Sequence, residues 1–117
     1  MVSKARAKGY RTVSKGKKIL ESKGYICANL EKTGKFAKEK DLFNLWDFLA
    51  IKGKLHLFIQ FKTNESFGIK KPRKWIHPYI DFGKTHCSKY VKYQIWNKTD
   101  YKGFEVFKCK NEKKRTI

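Results

Sequence analysis

Residues 45–63 read LWDFLAIKGKLHLFIQFKT: two apolar, β-prone runs, Leu45–Ile51 and Leu55–Thr63, joined through Lys52-Gly53-Lys54. Short apolar runs bounded by a glycine-containing turn read as the two strands of a hairpin. Both runs carry apolar side chains at successive positions, so the pattern predicts strands covered on both faces, at the centre of a sheet. Three residues stand out against that background: Asp47 in the first run, Gln60 and Lys62 in the second. Period two puts Gln60 and Lys62 on one face with His56 and Phe58, while Leu57, Ile59 and Phe61 fill the other.

Whether Asp47 joins the polar pair is a matter of register. A two-residue turn at Lys52-Gly53 pairs Ile51 with Lys54 and sets Asp47 opposite Phe58, diagonal to Gln60 on one face. A three-residue turn separates them, unless a bulge at Asp47 restores the alignment. In the first arrangement a carboxylate and an amide oxygen can hold Mg2+ with water in the remaining positions, and the Lys62 ammonium can orient an attacking water or stabilise charge on a phosphate. The plainer alternatives are a strand-end Asp47 paired with a lysine, and an edge strand whose polar face carries Gln60 and Lys62.

Working outward, Val13, Gly16, Ile19 and Leu20 recur at helical spacing over Thr12–Lys23, and Gly24 is placed as the stop. Tyr25–Leu30 reads as a strand and Glu31–Lys40 as a charged loop around Thr33-Gly34-Lys35. Pro72–Thr85 is expected to be helical in part, with Pro78 breaking or kinking the helix. Tyr90–Trp96 and Phe104–Cys109 alternate as strands around a turn at Thr99–Gly103, while the first ten and last eight residues are basic ends expected to fray. The order α-β-β-β-α-β-β predicts an α/β fold, one domain over residues 1–117, with a mixed central sheet flanked by helices.

The chain of 117 residues carries 29 Lys and Arg against 10 Asp and Glu, a formal charge of +19. With 40% hydrophobic and 15% aromatic residues the charge sits on a folded domain rather than a disordered tail. Such a charge favours phosphate backbones as partners through counterion release. A membrane-surface anchor would concentrate its charge on one helix, whereas lysine here is spread from Lys4 to Lys114. Arg11, Lys15, Lys32, Thr33, Lys35 and Lys38 are the candidate phosphate contacts.

Cys27, Cys87 and Cys109 are odd in number, widely spaced and without a C-x-x-C, which signals neither a disulfide framework nor a zinc site. His56 shares the candidate face, while His77 and His86 show no partner spacing. Trp46 and Trp96 are expected in the core. No apolar run approaches the length of a membrane span and the N-terminal MVSKARAKGYR has no signal-peptide core, so an intracellular location, cytoplasm or nucleoid, is expected.

Asp47, twelve intervening residues, then Gln60-Phe61-Lys62 resembles the PD-(D/E)xK nuclease superfamily, and most closely its archaeal Holliday junction resolvase-like and phage-associated members. The likeness extends to the helix ending in Glu21-Ser-Lys-Gly24-Tyr25, to the Asp41–Asp47 lead-in and to the later helix and two strands, from about Gly9 to Cys109. The resemblance implies a restriction-endonuclease-like core, Mg2+ or Mn2+ as cofactor, DNA as partner (four-way junctions included) and a homodimer. It implies that Asp47 is the metal-binding aspartate, Gln60 stands in for the second acidic ligand, the Phe61 carbonyl is a further ligand and Lys62 is the catalytic lysine. Resolvases carry a Glu early in the first helix; counting back from Gly24 puts Val13 there. Asp41 or Glu31 in the loop could supply a further carboxylate.

Overall fold

In the computed structural model, which describes residues 4–30 and 45–110, the elements follow as α1 (Lys4–Ser22), β1 (Ile26–Asn29), β2 (Phe48–Lys52), β3 (Leu55–Thr63), α2 (His77–His86), β4 (Val91–Lys98) and β5 (Phe104–Lys108). The order α-β-β-β-α-β-β read from the sequence is therefore present. Residues Glu31, Lys32, Thr33, Lys35, Lys38 and Asp41 lie outside the described residues.

The strands form one five-stranded sheet in the order β1-β2-β3-β4-β5. Neighbours are antiparallel except β3 and β4, which run parallel and are joined through α2. A parallel pair needs such a crossover, because a tight turn cannot return the chain to the same end of the sheet. The fold is thus α/β with a mixed sheet, and β3 is its central strand.

Two expectations about the helices need correction. The first helix starts at Lys4 rather than Thr12, taking in most of the basic segment expected to fray; Ala, Lys and Arg are good helix formers and extend the helix back. It stops at Gly24, whose φ of 94° is open to glycine, with the Tyr25 N–H bonded to the Leu20 carbonyl. Pro78 neither breaks nor kinks the second helix: it sits in the first turn of α2, where no intrahelical partner for an N–H is required, and a 3₁₀ turn at Lys74–Ile76 leads into it.

The sheet is covered on both faces. On the α1 side Leu20 of the helix packs with Phe48, Ala50, Leu57, Ile59, Phe61 and Trp96; on the α2 side lie Trp46, Ile76, Tyr79, Tyr93, Ile95 and Cys109. Trp46 and Trp96 are core residues, as the sequence suggested. Alternate residues of β3 feed the two layers, Ile59 and Phe61 one and Phe58 the other, which is why its sequence is apolar almost throughout. On α1, Thr12, Gly16 and Leu20 face the sheet at four-residue spacing. A Cβ at Gly16 would lie 2.3 Å from Phe61 Cε1, so glycine is what lets the helix come this close to β3. The three cysteines are unpaired thiols.

Candidate functional site

The hairpin turns one place later than the sequence suggested. Lys52 pairs with Leu55 and Phe48 with Ile59, so the two-residue turn is Gly53-Lys54 and not Lys52-Gly53. Gly53 takes the left-handed φ of 60° that the turn demands. Phe58 consequently faces Leu49, not Asp47.

Asp47 is set by a bulge. Its N–H donates to the Ile59 carbonyl at 3.1 Å, although the Cα partner of Ile59 is Phe48. Two residues of one chain therefore oppose one of the other. The core gives an independent sign of the extra residue: Trp46 and Phe48, two apart, would share a face in a regular strand, yet Trp46 packs on the α2 side and Phe48 on the α1 side. The bulge brings the Asp47 carboxylate onto the β3 backbone, where Oδ1 accepts the Phe61 N–H at 3.3 Å. The Asp47 carbonyl accepts the Leu30 N–H at 2.8 Å, tying this point to the end of β1.

Asp47 thus touches the backbone of the residue between Gln60 and Lys62. Those two share the α2 face, as period two required. Gln60 is 6% exposed, and neither its Oε1 nor Trp46 Nε1 has a hydrogen-bond partner among the described residues. A buried amide oxygen left unpaired is costly. The half-buried Lys62 extends its ammonium over the Trp75 ring, 5.6 Å from the centroid, an arrangement that stabilises the charge through the ring quadrupole. Phe61 turns its own ring into the opposite layer, against Phe48, Trp96 and Phe104.

Asn97 is a site residue that the sequence reading passed over. It faces Lys62 across the parallel pair, is 1% exposed, and binds both backbone groups of Glu65: the Glu65 N–H donates to Oδ1 at 3.0 Å and Nδ2 donates to the Glu65 carbonyl at 2.7 Å. This fixes the chain as it leaves β3 beside Lys62. Its signal was faint, an amide closing the stretch Tyr93–Trp96 that already carries the amide of Gln94.

Other candidates are not brought together. His56 lies at the opposite end of β3 and bonds the Lys54 carbonyl at 2.9 Å. Val13 packs against the α1-side core. Thr12, its neighbour, pairs with Thr63 hydroxyl to hydroxyl at 2.7 Å, so the helix position over the end of β3 is held by a threonine and not a carboxylate. Glu21 is exposed and lies nine positions along the helix from Thr12, roughly 13 Å along the axis. Among the described residues no group of three or more His, Cys, Asp and Glu gathers in one place. Arg11 and Lys15 are both exposed, one turn apart on α1.

Two hard donors lie on this stretch of the hairpin, the Asp47 carboxylate on the Phe61 N–H and the Gln60 Oε1 of the residue before it. They suit Mg2+ or Mn2+ with water completing the shell, and the unpaired Gln60 oxygen is the feature a cation would satisfy. Cys109 is not a competitor for such chemistry, because burial pushes its thiol up to about 12 and keeps it protonated.

Comparison with protein-family models, with curated proteins and with solved structures finds no match for this chain. No helix among the described residues is long and apolar enough to cross a membrane.

Proposed function

We propose that this protein is a metal-dependent DNA endonuclease, similar in its site to Holliday junction resolvases, that hydrolyses phosphodiester bonds in branched or duplex DNA. The observation that carries the reading is the seat of Asp47: a bulge places its carboxylate on the backbone of Phe61, between Gln60 and Lys62. The mixed five-stranded sheet and the order α-β-β-β-α-β-β also accord with a restriction-endonuclease-like core. The charge of +19 supplies the general affinity for the polyanion, and an intracellular site of action goes with such a substrate.

In this reading Asp47 and Gln60 hold the cation, with the Phe61 carbonyl as a further donor, while Asn97 keeps the exit of β3 in place. A bound Mg2+ or Mn2+ supplies Lewis acidity toward the phosphoryl oxygen and lowers the pKa of coordinated water. Lys62 positions the attacking water or stabilises the charge that develops on the phosphate, and Trp75 holds its ammonium in a defined place. Arg11 and Lys15 on α1 contact the backbone of the DNA further from the site, and a homodimer would present two such sites to two strands.

A second reading is a non-catalytic DNA-binding protein that keeps the nuclease fold. The thin donor set favours it: among the described residues one carboxylate is seated at the site, and Thr12 and Val13 stand on α1 where a resolvase-like glutamate is expected. Cleavage of labelled four-way-junction, duplex and single-stranded DNA with Mg2+ or Mn2+ separates the two. Metal-dependent cutting that both Asp47→Ala and Lys62→Ala abolish supports the nuclease. Tight, salt-sensitive binding by the wild type without cutting supports the second reading.

A further inference from the structure

The turn between β4 and β5 presents an aromatic ring to solvent in a backbone conformation that does not suit it. Tyr101 is fully exposed, and its φ of 64° lies in the left-handed region that bulky residues rarely adopt. The structure around it holds that conformation. Asn64 Nδ2 donates to Asp100 Oδ2 at 3.0 Å, and the Asp100 N–H donates back to Asn64 Oδ1 at 2.9 Å. The Lys102 N–H closes on the Thr99 carbonyl at 3.0 Å, and the Lys98 ammonium bonds the carbonyls of Thr99 and Lys102. Asparagine or glycine would meet the same φ without strain, so the tyrosine is not there for the turn. Nor does its ring serve the core.

Its position relates it to the candidate site. β3 and β4 run parallel, so both end on the same side of the sheet, and Asn64, which clamps the turn, is two residues beyond Lys62. Two extended residues cover about 7 Å, and the link through Asp100 to Tyr101 adds roughly as much again. That reach corresponds to about four nucleotides at the ~3.4 Å rise per strand. Exposed Lys70, Lys71, Arg73 and Lys74 on the connection from β3 to α2 supply cations nearby in the chain.

Cations on a rigid frame bind phosphates of any sequence or shape, but a bare aromatic ring needs a planar, apolar face. In intact duplex DNA those faces are occupied by neighbouring bases; at a branch, flap or gap one is free. We infer that Tyr101 is a stacking platform for an unpaired base, and that it selects DNA carrying a branch or single-stranded stretch within a few nucleotides of the phosphate at Lys62. The inference rests on the reading that DNA is the substrate.

The test is binding, without divalent metal and at fixed salt, to a duplex and to a bulged or flapped DNA with 2-aminopurine at the unpaired position. The proteins compared are the wild type, Tyr101→Asn and Tyr101→Phe. Asn fits the positive φ, so thermal unfolding of Tyr101→Asn should match the wild type or lie above it. The expected result is quenching of 2-aminopurine by the wild type and by Tyr101→Phe. Tyr101→Asn should lose the quenching and about tenfold in affinity for the unpaired-base DNA, with duplex affinity within about twofold. Unchanged binding of the flapped DNA by Tyr101→Asn, or an equal loss on duplex, would overturn the assignment while leaving DNA as the partner. A wild type that binds neither DNA would overturn the functional reading and this inference with it.

Discussion

The carboxylate of Asp47 accepts the Phe61 N–H at 3.3 Å, so a side chain closes the β2–β3 ladder beyond the point where the strand pairing stops at Phe48 and Ile59. The same oxygen-bearing group that ends the ladder is the one proposed to hold a cation. Structure and proposed chemistry are therefore separable by choice of substitution.

Asp47→Asn keeps an oxygen for the Phe61 N–H and removes the charge. Stability should stay within about 1 kcal/mol of the wild type, whereas Asp47→Ala, which leaves that N–H unpaired, should cost about 1–3 kcal/mol. Both should lower metal-dependent cleavage by about a hundredfold or more. Urea denaturation beside the cleavage assay checks this; cleavage retained by Asp47→Asn would remove Asp47 from the site.

Gln60→Glu places a carboxylate where a 94%-buried amide now has an unpaired oxygen (6% exposed). Without divalent cation the variant should unfold at lower temperature than the wild type, because burying an unpaired charge is costly. Mg2+ or Mn2+ should raise its unfolding temperature more than that of the wild type, since a ligand held only by the folded state stabilises it. Calorimetry with and without metal reads this; equal metal responses in the two proteins would count against a cation between Asp47 and residue 60.

Gly16→Ala tests the seat of α1. Alanine is the better helix former by about 1 kcal/mol, but its Cβ would stand 2.3 Å from Phe61 Cε1 and 2.6 Å from Cζ. Phe61 is packed by Phe48, Trp96 and Phe104 and has little room to swing. The clash should win, with a net destabilisation of about 1–3 kcal/mol seen as a lower urea midpoint.

Stability should also fall on the alkaline side. Burial raises the Cys109 thiol to about 12, so in the unfolded chain it ionises at lower pH than in the folded protein. A group whose pKa is raised by folding contributes fully below the unfolded value and loses that contribution as pH climbs toward the folded one. Unfolding free energy should therefore decline between about pH 9 and 12, with a shallower slope in Cys109→Ala, measured by urea titration at each pH.

DNA binding should weaken steeply with salt. A contact surface neutralising six to ten phosphates loses about 10³–10⁵ in affinity between 50 and 200 mM salt. Arg11→Ala should reduce the slope of log affinity against log salt by about one, uniformly across DNA sequences. An unchanged slope would place Arg11 outside the interface.

Much of this was legible before the fold was known. The element order, the two-sided burial of the hairpin, the common face of Gln60 and Lys62 and the core positions of Trp46 and Trp96 all follow from periodicity, and periodicity is local. The charge of +19 is a matter of composition and needs no fold. What periodicity could not determine is register. The turn Gly53-Lys54 and the bulge at Asp47 depend on packing Trp46 on one face of the sheet and Phe48 on the other, and a residue count along one strand carries no information about its partner.

The tertiary structure alone also decided what surrounds the site. It drew Thr12 rather than a carboxylate to the end of β3, made Asn97 the clamp on Glu65, set Trp75 beneath the Lys62 ammonium and left Tyr101 bare on a strained turn. Each of these joins residues more than ten apart in the chain or sets a backbone angle against its residue's preference. The sequence by itself determined which residues have chemistry to offer, through their type and spacing; only the packed sheet decided which of them meet, because meeting depends on distances across strands and helices that no linear pattern encodes.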